Sequence, residues 1–560
     1  MKKMNSLTPF FIAALFFHSS LLHSLSKSNL SIATVDTIAT NAGAQAFKAG
    51  GNAFDAAVAA GLVLGVVNGY NSGIGGGCFI VGRDSKNKEF TINGRETAPA
   101  KAHKNLFVIN GKAQSQLSKE GALAIAVPGA LLAYSELSKK YGRLPFKTHL
   151  INAAKIAKNG FQISESYAER IKANDALLRK HKSSARIFLD QKGHALKAGT
   201  LLRQEDLSET YLQIAKNGTD WFYKGAFAEK THEWMADNGG ILTKGDLNNY
   251  HTTNPDPIVT QFKDFTLIGM PPPSSGGIHV AQILNILENF NLQKIKPQSP
   301  EYYHIISEAM KLAFADRAHW LGDPAFTNVP KGLISKEYAK FLAKKIDLSK
   351  TIKVKSHSTP PGADKDFFNK HTTHFSCSDG NGNWVSITST INTSFGSKVI
   401  IPGTGVLMNN EMDDFSIQPG TPNAFGLIGN ESNKVEGGKR PLSSMSPTIV
   451  LKNNTPVLAT GAAGGPTIIS QTVLTILNTL VYGMPISEAI AKPRFHHQWK
   501  PDVLRIEKNA GPKILSFLRE KGHDLRIYEN FGSTQSISNI KGQADAAHDK
   551  RTGGESVVLP

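Results

Sequence analysis

A threonine hydroxyl is a poor nucleophile until a base takes its proton, and a free α-amino group, with a pKa of about 7.7 to 8.0, suits that task near neutral pH. Only the first residue of a chain can use its own amine this way. The stretch Thr372 to Asn392, TTHFSCSDGNGNWVSITSTIN, invites this chemistry. Two alternating segments, Thr372 to Ser378 and Trp384 to Thr390, flank Asp379-Gly380-Asn381-Gly382-Asn383, a run that tolerates positive φ. The pattern predicts a hairpin in which Ser378 pairs with Trp384. Counting back along both strands then sets Thr372 opposite Thr390 on one face, with Cβ atoms about 5 Å apart. The catalytic reading requires the chain to be cut between His371 and Thr372. Taken alone, Thr372-Thr373 is also ordinary β-branched strand material.

Two further stretches carry groups suited to acyl transfer. The strand Pro456 to Thr460, the turn Gly461-Ala462-Ala463-Gly464-Gly465 and a helix from about Thr467 to Val481 would aim backbone N–H groups at one point, where an oxyanion can be held. Many strand-to-helix turns share that pattern. Arg95 ends a strand and enters a loop beside Glu96; an isolated Arg-Glu pair reads equally as solvated surface.

The elements that must position these groups are punctuated clearly. Ala42, Ala46 and Ala49 mark a helix that breaks at Gly50-Gly51, and Asn52 can cap a second, AFDAAVAAGLVLGVV, whose small residues favour close packing. Gly73-Ile74-Gly75-Gly76-Gly77 has neither dinucleotide nor P-loop spacing and is assigned to tight backbone packing. Helices are predicted over 128–141 and 147–160, and a polar, mostly helical region over 161–260. Met270 to Gly277, MPPPSSGG, forms a rigid turn into an apolar helix from Ile278 to Phe290. Residues 350–371 carry little pattern, which suits a cleavage site.

The chain has 560 residues, 40% of them hydrophobic, and a formal charge of +18. This composition is globular, and its Lys and Arg residues are scattered without a basic run or aromatic platform, so no nucleic-acid partner is expected. Lys2, Lys3, the apolar run Phe10 to Phe17 and small residues at Ser24 and Ser26 have the layout of a secretory signal over 1–26. With no stable membrane span, the expectation is a periplasmic or secreted protein. Cys78 and Cys377 lie in apolar strand contexts that favour two buried thiols over one bridge, and an exported chain permits either.

Together the motifs GGNAFDAAVAA, GIGGGCF, GRETAPAKA, MPPPSSGGIH, WLGDP, TTHFS, NNEMDDFS, KRPLSSMSPT, GAAGG and PRFHHQW, in this order, resemble the γ-glutamyltranspeptidases, or glutathione hydrolases, along nearly the whole chain after the signal. The resemblance implies an α+β fold, a four-layer αββα sandwich of the N-terminal nucleophile type. It also implies autocleavage into a large subunit, 27–371, and a small one, 372–560. Thr372 matches the nucleophile, Thr390 the threonine that supports it, and Gly464 and Gly465 the oxyanion turn. Arg95 with Ser443 and Ser444 matches the holders of the donor's α-carboxylate; Asn392, Glu411 and Asp414 match the receivers of its α-ammonium. The implied reaction passes through a γ-glutamyl-Thr372 ester, resolved by water or by an amino acid or dipeptide acceptor, with no metal or organic cofactor. Three positions depart from the common pattern: Glu411 where Gln is frequent, Gly94 before the arginine, and Phe425 where a lid loop over 419–430 often has Tyr. The tail after Ala547 follows the pattern loosely. The alternatives are a relative acting on another acyl group, such as a glutaryl-cephalosporin acylase or a poly-γ-glutamate enzyme, and an uncleaved binding or structural protein.

Overall fold

The computed structural model describes residues 29–364 and 375–560. The signal segment 1–26, the cleavage site and Thr372 therefore lie outside the described residues. In chain order the first half supplies β1 (Leu30–Thr34), α1 (Thr37–Lys48), α2 (Ala53–Val67), β2 (Gly77–Arg83), β3 (Glu89–Gly94), α3 (Ala130–Tyr141), β4 (Ile258–Phe262), β5 (Phe265–Gly269), α4 (Gly276–Leu287) and α5 (Pro300–Trp320). The second supplies β6 (Ser376–Ser378), β7 (Trp384–Thr390), β8 (Thr448–Lys452), β9 (Thr455–Ala463), α6 (Thr467–Ile476), β10 (Ser533–Ile540), β11 (Gln543–Ala547) and β12 (Glu555–Leu559). Helices also fill most of 165–249, as the polar composition there predicts.

Two six-stranded antiparallel sheets result, ordered β12-β1-β6-β7-β2-β3 and β11-β10-β9-β8-β5-β4. Each mixes strands from before and after residue 372. The period-2 alternation of the strands sorts side chains into separate cores. Phe79 and Val81 of β2 point between the sheets, where they join Trp384, Ile449 and Leu451. Their neighbours Cys78 and Ile80 point the other way, into a core shared with α2 and α3. Val450 of β8 likewise turns outward to a third core under α4, α5 and α6. Three cores separate four layers, the αββα order that the resemblance implies.

Local chemistry explains the first helical layer. Asn52 and Asp55 form a reciprocal capping box at the start of α2, with Asn52 N donating to Asp55 Oδ2 at 2.9 Å. All of α2 is buried, because α1 and the helix Phe146–Asn159 cover the side that the sheet does not. Gly94 also has a packing reason: a Cβ there would lie 2.8 Å from Ala133 Cβ of α3. The predicted hairpin is present, with Ser378 opposite Trp384 and Ser376 opposite Ser386. Its loop reaches further than the pattern indicates, since Asp379 Oδ2 accepts from Ala53 N at 3.0 Å and so ties the hairpin to the start of α2. Both cysteines are free and buried. The C-terminal tail forms the edge of the first sheet, where β12 pairs with β1 from Leu30–Leu559 to Thr34–Glu555. Among the described residues no helix is long and apolar enough to cross a membrane.

Candidate active site

The end of β7 opens into a cleft of about 520 Å³. Thr390, Asn392, Glu411, Asp414, Ser443, Ser444, Gly464 and Gly465 all line it. These are eight of the predicted site residues. Arg95 lies beneath the lining, and His371 and Thr372 are outside the described residues.

Thr390 is held by close backbone approach. It pairs with Gly77 of β2, and a side chain at Gly76 would strike its carbonyl oxygen, so the glycine run is tight packing directly behind this threonine. Thr390 Oγ1 accepts from Asn392 N at 2.7 Å, which leaves its own proton for another acceptor. Asn392 adopts φ 75° and donates from Nδ2 to Asn410 O at 2.9 Å, linking the strand end to the acidic turn Glu411–Asp414.

Arg95 follows β3 and is completely buried. Its Nη1 meets Glu411, its Nη2 meets Asp414 Oδ2 at 2.7 Å, and its Nε donates to Pro441 O at 3.1 Å. Glu96 Oε2 lies 3.5 Å from Nη1. A planar fork suits this arrangement, because it meets two carboxylates in two directions at once. Burial opposes the charge of Arg95, but Glu411, Glu96 and Asp414 together hold it above the ordinary guanidinium range. Burial, with those like-charged neighbours, also raises Glu411 well above the usual carboxylate range, and burial raises Glu96 to about 7. Three acids thus share one guanidinium, and a further cation would be welcome.

The glycine turn leaves β9 and enters α6. Gly464 and Gly465 have φ 132° and 59°, values that favour glycine, and a Cβ on Gly465 would lie 2.5 Å from the Phe425 ring. Among the described residues neither N–H of the pair has a partner. Phe425 belongs to the 419–430 loop, which Ala424 N fastens to Asp413 Oδ2 at 2.8 Å, so the loop rests on the glycine turn without a tyrosine hydroxyl. The MPPPSSGG turn supports the serine pair: Ser443 N donates to Pro273 O at 2.9 Å, and Ser274 Oγ donates to Met445 O at 2.7 Å.

Sequence reasoning missed Asn410, whose Oδ1 accepts from Thr393 N at 3.0 Å, and Arg317 of α5, which also lines the cleft. The only signal for Arg317 is a charge whose helix neighbours three positions away on either side, Phe314 and Trp320, are apolar. One His/Glu group with metal-ligand spacing exists among the described residues, His304, Glu308 and His523. It lies off the cleft and is hydrogen-bonded internally, with His304 Nδ1 2.8 Å from His523 Nε2 and Lys311 Nζ 3.2 Å from Glu308.

Two stacked antiparallel sheets between helical layers, with a glycine turn at a helix start facing the end of a threonine-bearing strand, place the chain among the N-terminal nucleophile hydrolases. The chain belongs to the γ-glutamyltranspeptidase family, whose model matches residues 39–559, the tail included. It is 42% identical over 525 residues to the glutathione hydrolase proenzyme of Escherichia coli (strain K12), covering 93% of this chain and 90% of that protein. It is 38% identical over 542 residues to the proenzyme of the same name from Bacillus subtilis (strain 168), covering 92% and 90%. Among solved structures, cephalosporin acylase from Bacillus halodurans superposes with a TM-score of 0.85 at 27% identity over 95% of both chains. Helicobacter pylori γ-glutamyltranspeptidase does so with a TM-score of 0.56 at 36% identity, covering 60% of this chain and 95% of that one.

Proposed function

We propose that this chain is an exported proenzyme that cuts itself between His371 and Thr372 and then acts as a γ-glutamyltransferase and glutathione hydrolase. The observation that carries the reading is the cleft itself, which sets a cation-seeking acidic turn and a hydroxyl pair beside a glycine turn with unpartnered N–H groups. A γ-glutamyl head group has one ammonium, one carboxylate and a carbonyl that becomes an oxyanion. Each has a counterpart there.

In this reading the α-amine of Thr372 takes the proton from its own hydroxyl as the oxygen attacks the γ-carbonyl, and Thr390 supports that hydroxyl. Gly464 and Gly465 N–H groups stabilise the oxyanion. The proton passes to the departing amine, such as cysteinylglycine, and leaves a γ-glutamyl ester on Thr372. Water releases glutamate; an amino acid or dipeptide amine instead forms a new γ-glutamyl amide. Asn392, Glu411 and Asp414 receive the donor's ammonium, while Arg95, Ser443 and Ser444 receive its carboxylate. The existing ion pairs between Arg95 and the two acids support this, because a zwitterion entering the site exchanges one set of charge pairs for another and leaves no charge uncompensated. The subunits are 27–371 and 372–560, and the chain works in the periplasm or outside the cell.

The direct test is release of p-nitroaniline from γ-glutamyl-p-nitroanilide, with and without glycylglycine as acceptor. A purified, processed protein that releases none in either case refutes the reading. Arg95→Lys should still be processed but should bind the donor poorly, with KM raised about tenfold or more, because an ammonium cannot span Glu411 and Asp414 while bonding Pro441 O. Unchanged kinetics across a donor titration would remove Arg95 from the site.

A further inference from the structure

Behind the serine pair lies a second buried arginine that no step above uses. Arg317 is 4% exposed, and its side chain forms part of the cleft wall. A buried guanidinium is ordinarily paired with a carboxylate; Arg317 makes no ion pair among the described residues. Its Nε donates to Ser275 Oγ at 2.9 Å and its Nη2 to Ser444 Oγ at 2.9 Å. Burial draws it down to about 10, with Asp414 the acid that opposes this, so it stays protonated at neutral pH.

A guanidinium has donors and no acceptor. Both serine oxygens must therefore accept from Arg317 and turn their own protons elsewhere. Ser275 Oγ donates to Ser443 O at 2.6 Å, a carbonyl that Ser275 N also reaches at 2.8 Å. The Ser444 hydroxyl has no acceptor among the described residues, and Ser444 lines the cleft. Arg95, by contrast, already faces two carboxylates.

We infer that Arg317 is the positioning residue of the carboxylate cradle: it presets Ser444 as a hydroxyl donor toward the cleft and keeps an unspent positive charge behind it, so that donors with a free α-carboxylate are selected. The inference rests on the reading in which Ser443 and Ser444 receive that carboxylate. It adds the residue that makes the serines selective and predicts which donors lose when it is removed.

The experiment compares kcat/KM for γ-glutamyl-p-nitroanilide with that for 4-aminobutyryl-p-nitroanilide, which keeps the amine and lacks the α-carboxylate. The wild type should prefer the first by about 100-fold or more, as charge-assisted bonds to a carboxylate warrant. Arg317→Met should cut that preference about 30-fold, chiefly through KM, while kcat/KM for the 4-aminobutyryl donor shifts by less than about threefold. Ser444→Ala added to Arg317→Met should cost much less than the product of the two single effects, since both act on one hydroxyl. Arg317→Lys covers a neutral variant that fails to fold; it retains charge but cannot reach both serines, and should lose about fivefold of the preference. An equal loss on both donors, or a preference unmoved by either Arg317 variant, would overturn the inference and show that this arginine only supports the wall. A wild-type preference near one is a different failure, since it refutes the carboxylate reading itself and takes the inference with it.

Discussion

With Thr372 replaced by Ala, the precursor should remain a single chain and show no turnover of γ-glutamyl-p-nitroanilide. Cleavage needs the Thr372 hydroxyl to attack the His371 carbonyl, shift the acyl group from nitrogen to oxygen and leave an ester that water opens. Alanine removes the attacking atom, so both maturation and catalysis end together. The wild type should separate into two bands under denaturing electrophoresis, and N-terminal sequencing of the smaller should begin at Thr372. A different first residue, or a cut Thr372→Ala chain, would sink the assignment.

Asp414→Asn should leave maturation intact and greatly reduce turnover. Asp414 lies on the cleft and pairs with Arg95 Nη2 at 2.7 Å, so the amide preserves shape but removes half of the acidic pair offered to an incoming ammonium. Removing one partner of a buried charge pair costs about 2 to 5 kcal/mol, or roughly 30-fold to several thousand-fold in kcat/KM. Glutaryl-p-nitroanilide has no amine at the relevant carbon, so it should be a poor substrate for the wild type and gain relative to the γ-glutamyl donor in the variant. The full-length likeness to a cephalosporin acylase makes this comparison the sharpest available. The ratio of kcat/KM for the two anilides should be measured where the Thr372 amine is neutral. A wild-type ratio near one, unmoved by Asp414→Asn, would favour another acyl group as the substrate.

Local rules made much of this architecture legible. Asn52 capped α2, and alternation with a glycine-rich loop placed Ser378 opposite Trp384, because both features depend on residues within a few positions of one another. Pairings between distant segments were beyond such rules. Nothing near Leu30 indicates that β12 will lie beside it, and nothing near Arg95 indicates that its fork will meet Glu411, 316 residues along the chain. Of the eight cleft residues, Thr390 follows from the hairpin count and Gly464 and Gly465 from the strand-turn-helix pattern, whereas Asn392, Glu411, Asp414, Ser443 and Ser444 were reached through long motifs resembling a family. Arg317 was not, since one charge among several in the helix α5 reads as a solvated face until packing shows Ser275 and Ser444 beside it. Glu411 shows the same limit, because sequence reveals an acid but not the burial that raises it.

The interleaving of strands has a consequence for what the proposed cut does to the molecule. In the first sheet β1 lies between β12 and β6, and in the second β5 is hydrogen-bonded to β8, so both ladders cross the boundary at residue 372. Severing one peptide bond therefore releases nothing while the sheets stand. Once they melt, however, the precursor can refold as a first-order event within one chain, whereas the cut protein must bring two chains together at their dilution. Each separated chain would also expose unpaired strand edges that template aggregation. Maturation would thus turn a reversible fold into a one-way one: the nicked enzyme would persist by the slowness of its unfolding rather than by its ability to recover, and its refolding yield would depend on concentration while that of the Thr372→Ala chain would not.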